Sequence, residues 1–164
     1  MPAGHRIETM PDSKSMPRRF LAVLALAALV TGAAMAQDRP QPRLETIELT
    51  AGMHLIRAEV AQTAQQQATG MMFRTAMGAN EGMLFVNEQA GVRCFWMRNT
   101  LIPLSIAFIA DDGTIVNIAE MQPRSDDSHC SARPVRFALE MPKGWFARRG
   151  IQPGAKLRGP PFRP

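Results

Sequence analysis

"LSIAFIADDGTIVNIAE", residues 104–120, consists of two apolar, β-branched runs separated by Asp111-Asp112-Gly113. Each run is short and rich in Ile, Val or Phe, the residue types that suit a pleated, half-buried surface. Asp-Gly between two such runs is a strong hairpin signal, because a type I′ turn needs positive φ at both central positions. Two antiparallel strands are predicted, over 104–110 and 114–120, and the chain is read as mainly β.

The same kind of run recurs on both sides. "GMLFV" (82–86), "VRCFWM" (92–97) and "VRFALEM" (135–141) are each bounded by Gly, Asn, Asp or Pro. Upstream, "LETIELT" (44–50), Ala51-Gly52 and "MHLIRAEVA" (53–61) read as another hairpin. "TAQQQATG" (63–70) breaks the pattern: Thr63 with Gln66 three places on makes a capping box, and Gly70 suits the position just past a helix end. A short helix should therefore cross from the first hairpin to the later strands. Near the end, "KGWFARRG" (143–150) reads as one or two helical turns closed by Gly150. Gln152-Pro153-Gly154 follows as a type II turn, with a last strand at 155–158. The expected fold is a small barrel-like β domain (mainly β, α+β) of about seven short strands, with one internal helix and a short helical turn, closed or half-closed so that few edges stay exposed.

The amino-terminal side reads as an export signal. "MPRRFLAVLALAALVTGAAMAQ" (16–37) carries two arginines, an apolar run and the small-x-small pattern Ala34-Met35-Ala36. The apolar run is short of the roughly 20 residues a spanning helix needs, and no stop-transfer pattern follows; a retained anchor is the alternative. Translation is compatible with a start at Met16. Cleavage after Ala36 would leave a flexible leader (37–43), one domain (44–158) and a tail (159–164), with no transmembrane segment in the mature chain and no room for a second domain. Localisation is then periplasmic or secreted. Removing Arg6, Lys14, Arg18, Arg19, Glu8 and Asp12 lowers the formal charge, which is +5 for the whole chain. The basic residues left near the end (Arg148, Arg149, Lys156, Arg158, Arg163) suit a solvated face, or anionic envelope polymers or lipid headgroups, before nucleic acid.

From Gly70 onward the chain resembles the uncharacterised DUF 192 family. The residues that carry the likeness are "GMMFR" (70–74), "EGMLFV" (81–86), "FWMRNTLIPLSIAFI" (95–109), "FALEMPKGW" (137–145) and "GIQPG" (150–154), in this order and spacing. The resemblance implies a small barrel-like β domain, often exported in bacteria; it brings no reaction, cofactor or catalytic residue. Ser105 departs from it, standing where an aspartate commonly follows the "IPL" run.

Candidate site residues gather in "RCFWMRNTLIPL" (93–104) and at two carboxylates. Strand alternation that buries Phe95 and Met97 points Trp96 and Arg98 to the opposite face. Trp96 with Arg98 and Asn99 would then form a flat apolar platform with polar donors at its rim, the chemistry that stacks a sugar or another planar group. In the alternative, Trp96 is itself core, Asn99-Thr100 forms a turn, and Arg98 pairs with Glu81 or Glu140. Those two glutamates are the only carboxylates inside the family motifs and could serve as acid and base if folded close together. Cys94 and Cys130 are the only cysteines, and in an oxidising compartment they are expected to form a disulfide. "RSDDSHC" (124–130) lacks metal-ligand spacing, and Met71, Met72, Met77, Met83 and Met97 sit in apolar strings that suit core filling better than copper ligation. No metal and no cofactor is expected. The reading is a monomeric, non-enzymatic exported domain that binds a small or polymeric envelope ligand, possibly a glycan. A small envelope enzyme acting on sugars or cell-wall material and a protein-interaction module are the alternatives.

Overall fold

The computed structural model describes residues 39–162. The expected signal peptide, its cleavage site after Ala36 and the last two residues lie outside the described residues. Among the described residues, nine strands and one α-helix follow in the order β1 (Thr46–Ala51), β2 (His54–Ala61), α1 (Ala64–Thr69), β3 (Glu81–Gly91), β4 (Cys94–Phe95), β5 (Leu104–Ile109), β6 (Ile115–Met121), β7 (His129–Cys130), β8 (Val135–Pro142) and β9 (Leu157–Arg158). Seven of them form one sheet in the order β6-β5-β8-β3-β2-β1-β9, while β4 and β7 pair separately as a two-stranded ribbon. No helix among the described residues is long and apolar enough to cross a membrane.

The large sheet curls into a half-barrel, and its two edges touch at one end. Thr114, just before β6, bridges Lys156, just before β9. Around that bridge Ile115 N donates to Ala155 O (2.9 Å), Gly154 N to Ile115 O (2.8 Å) and Leu157 N to Gly113 O (2.9 Å). Edge groups that would otherwise face water are thereby paired. All neighbours are antiparallel except β2 and β3. A parallel pair requires a long crossover, here residues 62–80 with α1 inside it. The helix is capped as the sequence predicts: Thr63 Oγ1 accepts from Gln66 N (3.2 Å) and Gln66 Oε1 from Thr63 N (3.0 Å). Gly70 ends it with φ +47°, outside the regular left-handed well, and a Cβ there would stand 3.2 Å from the Phe85 ring.

Both faces of the sheet are covered, which is why β5 is apolar at every position but Ser105: all six of its residues are buried. Ala107 and Ile109 join Leu49, Ile56, Ile115, Phe137 and Leu157 in one core. Those residues come from opposite edges of the sheet, so this core is the inside of the curl. Leu104, Ile106 and Phe108 belong to a second core with Met71, Met83, Phe85, Met97, Met121 and Ala138, on the other face beneath the β4–β7 ribbon. Met71, Met83, Met97 and Met141 of the family motifs are thus packing residues. The helical turns after β8 plug the curl: Trp145 and Phe146 are buried in the first core, Trp145 Nε1 donates to Asn80 Oδ1 (3.1 Å), and Gly150 closes the turn at φ +65°.

Two local expectations are corrected. The β5–β6 hairpin is present, yet Gly113 (φ +84°) is the glycine with positive φ there and Asp112 has no positive φ, so the turn is not type I′. Gly113 N donates to Ala110 O (3.0 Å), and Asp112 Oδ1 accepts from Thr114 N (3.0 Å), while the ladder slips between Phe108 and Ile109. The slip leaves Val116 of β6 as the extra, unpaired residue of a bulge. In addition, the polar loop 124–130 ends in a strand, β7, that the sequence does not announce.

Candidate functional site

The ribbon decides where the candidates of residues 93–104 lie. Cys94 and Phe95 pair with Cys130 and His129, and Cys94 and Cys130, directly opposite each other, are joined as a disulfide. Further bonds tie the flanks: Arg93 N donates to Ser131 Oγ (3.0 Å), Ser131 N to Arg93 O (2.8 Å) and Met97 N to Ser125 O (2.9 Å). Alternation then follows from the backbone. Met97 is fully buried, Phe95 packs against Phe85 with ring centroids 4.9 Å apart, and Trp96 between them is 49 % exposed. The Arg98 guanidinium lies 4.3 Å from the centre of the Trp96 ring, and its Nε donates to Asp126 Oδ1 (2.7 Å). Arg98 therefore covers part of the tryptophan and pairs with neither Glu81 nor Glu140. Asn99 turns elsewhere: its carbonyl accepts from Phe73 N (2.9 Å), and its amide reaches the Met72 sulfur.

Between this ribbon and the end of α1 runs a cleft of about 400 Å³. Gln67, Gly70, Met71 and Met72 form one wall, Arg93, Cys94, Phe95 and Trp96 the other, and Phe85, Asn87 and Glu140 the floor. Trp96 and Glu140, far apart in sequence, meet on this one cleft. Glu140 is 4 % exposed, and its Oε2 is sealed without any hydrogen-bond partner. Burial pushes its carboxyl up to about 8, so it is largely protonated at neutral pH. On the same wall Arg93 donates from Nη2 to Gln89 O (2.6 Å), while its Nε is buried and unpartnered.

Glu81 belongs to a different cleft, lined by Arg43, Arg57 and Glu59. Its Oε2 accepts from Gly78 N (3.1 Å) and faces Arg43 Nη1 at 3.5 Å. The two glutamates named from the sequence are thus not brought onto one cleft. Glu59, which sequence reasoning passed over, is the carboxylate locked in place there. Arg74 holds both its oxygens (2.5 and 2.7 Å), and Leu44 N and Arg43 Nη1 add bonds of 2.8 and 2.6 Å. Burial alone would raise the Glu59 carboxyl, but Arg74, the Leu44 N–H and Arg43 together pull it down to about 2. This carboxylate is a structural ion pair, with no capacity left for a ligand.

Arg93, Phe85 and Met71 were among the cleft residues not anticipated as site residues. Only Arg93 carried a signal, as a charged residue leading into an apolar strand. Ser105, the departure from the family pattern, is buried; its hydroxyl donates to Glu120 Oε1 (2.7 Å) and accepts from Gly144 N (2.7 Å), tying β5 and β6 to the terminal turn. Among the described residues, no group of three or more His, Cys, Asp or Glu is arranged to hold a metal ion.

The family model DUF192, "Uncharacterized ACR", matches residues 46–159. The chain belongs to the DUF192 family. Among solved structures, a Novosphingobium aromaticivorans DSM 12444 protein of unknown function is 39 % identical with a TM-score of 0.69, over 77 % of this chain and 94 % of its own. A Sinorhizobium meliloti 1021 protein, described as a candidate transcription regulator, is 33 % identical with a TM-score of 0.68, over 73 % of this chain and 97 % of its own. No curated protein matches this DUF192 chain.

Proposed function

We propose that this DUF192 chain is an exported, non-catalytic binding domain. It takes a small molecule, or one unit of an envelope polymer, into the cleft between α1 and the β4–β7 ribbon. The observation that carries this reading is Glu140: a buried carboxyl without a partner on the floor of an open cleft. An unsatisfied buried polar group costs about 1–3 kcal/mol, and a ligand that supplies the missing hydrogen bond recovers that cost. The half-exposed Trp96 at the cleft wall adds a planar surface for an apolar or cyclic ligand. Export rests on the amino-terminal signal pattern and agrees with a disulfide in the folded domain.

An enzyme is the second reading, because a carboxyl held near 8 suits a general acid. It is the weaker one: acid–base work of the glycosidase kind needs a second carboxylate across the same cleft, and Glu81 and Glu59 line another one. The transcription-regulator description of the Sinorhizobium protein finds no support in the groove-reading sense. The one α-helix among the described residues, Ala64–Thr69, is "AQQQAT", with no basic residue to meet phosphates.

The test uses protein recovered from the envelope fraction, where its first residue should be Gln37, and native mass spectrometry to detect a small molecule held by it. Trp96→Ala should lose that molecule while melting within about 1 kcal/mol of the parent, since an exposed side chain leaves no cavity. Full-length protein found only in the cytosol overturns export. A Trp96→Ala variant that retains its ligand unchanged overturns the cleft as the binding site.

A further inference from the structure

The surroundings of Glu140 narrow the ligand class, if the binding reading above holds. On β8, Glu140 stands directly across from Met83 on β3 and Ile106 on β5. Its own strand neighbours Leu139 and Met141 face the other core. Met71, Phe85, Phe95 and Trp96 give its cleft an apolar and aromatic surface, and the polar side chains of Gln67, Asn87 and Arg93 share that cleft. Nothing in the fold donates to its carboxyl.

Among the charged groups around it, Glu59 and Arg98 are committed elsewhere, while Arg93 on the cleft wall keeps a buried Nε without a partner. Glu59 lies one strand beyond Met83 in the same row, about 10 Å away by ordinary strand spacing, and is neutralised by Arg74 and Arg43. Arg93, on the cleft wall, turns one nitrogen of its guanidinium to the Gln89 carbonyl. Arg98 is paired with Asp126. The floor therefore offers one acidic group, no competing protein cation bonded to it, and aromatic rings at its sides.

We infer that the cleft binds a small organic amine in its ammonium form, with the ammonium seated on Glu140 and the apolar body of the molecule against Phe85, Phe95 and Trp96. An ammonium donates hydrogen bonds to a carboxylate, and such charge-assisted bonds are roughly twice as strong as neutral ones. Aromatic rings nearby add attraction for a cation. A hydroxyl ligand would satisfy the same oxygen without gaining either advantage. The step balances simply: the neutral Glu140 carboxyl gives up its proton to solvent, and the carboxylate left behind pairs with the incoming ammonium.

Phenethylamine, 2-phenylethanol and phenylacetate each carry a phenyl ring on a short chain and differ in the end group: cationic, neutral and anionic. Titration calorimetry of the mature domain at pH 7, in two buffers of different ionisation enthalpy, should show phenethylamine binding at least tenfold more tightly than 2-phenylethanol. Close to one proton should be released for each amine bound. In Glu140→Gln, an isosteric change, amine and alcohol should bind alike and no proton should be released. Equal binding of amine and alcohol by the parent overturns the cation assignment while leaving the cleft a binding site. Preference for phenylacetate overturns it in favour of Arg93 as the anchor. Failure of all three probes, with Trp96 fluorescence also unmoved by an envelope extract, overturns the cleft reading itself together with the inference.

Discussion

At the residue scale, Glu140 and Glu59 depart from the ordinary carboxylate range in opposite directions, for physical reasons visible in their partners. Glu140 has only burial acting on it and is pushed up to about 8. Glu59 is buried too, but the bonds from Arg74, Leu44 N and Arg43 outweigh the burial and hold it at about 2. The consequences for stability have opposite signs. Between about 4.5 and 8 the unfolded chain has lost the proton that folded Glu140 keeps, so stability falls as pH rises through that window. Between about 2 and 4.5 the unfolded chain binds a proton that folded Glu59 does not, so stability is lost as pH falls. Denaturant melts across pH 5 to 8 should show Glu140→Gln gaining on the parent toward alkaline pH, by up to a few kcal/mol. A parallel pH profile for the two proteins would mean that Glu140 is ionised or hydrated in the folded state. Glu140 was visible in the sequence as a lone acid inside "FALEM". Its lack of a partner was not, because that depends on which side chains neighbouring strands bring to the same row.

Among the elements, the β4–β7 ribbon matters most to the site. It is only two residue pairs long, too short to persist by itself, since even a longer isolated two-stranded hairpin is marginal in water. The Cys94–Cys130 bond spans a sequence separation of 36 and holds the ribbon against the second core. In the chain-entropy description, closing a loop of that length contributes about 4 kcal/mol. Cys94 also lines the cleft. Replacing both cysteines by serine should therefore lower stability by about 2–4 kcal/mol and weaken ligand binding, with amide exchange rising first in residues 92–97 and 124–131 while β5 and β8 stay protected. Uniform loss of protection across the whole chain would contradict a ribbon that opens on its own. The pairing was expected from there being two cysteines and an export signal. The strand His129–Cys130 was not, because two residues supported by a partner ribbon leave no periodicity to read.

On the scale of the whole molecule, closure of the sheet depends on a close backbone approach at Gly113. A Cβ there would meet Leu157 O at 2.2 Å, and φ is +84°. Gly113→Ala should cost about 1–3 kcal/mol through both effects. It should also free residues 154–158 from the β6 edge, read as faster amide exchange at Leu157 and Ile115. Unchanged exchange at those two positions would show that the bridge is not what joins the edges. The sequence alone determined the local pieces: the two hairpins, the capped helix at Thr63, the type II turn at Pro153-Gly154 with Ala155 N on Gln152 O (3.0 Å), and the mainly β class. These follow from turn chemistry and short-range periodicity, which act between residues near in the chain. Only the tertiary structure decided that β2 and β3 run parallel, that Glu81 and Glu140 face different clefts, and that Trp96 shares one with Glu140. Those outcomes depend on sheet order and register, where a shift of one residue turns a side chain to the opposite face. They are settled by the packing of two cores against one sheet, and no single segment of the chain carries that information.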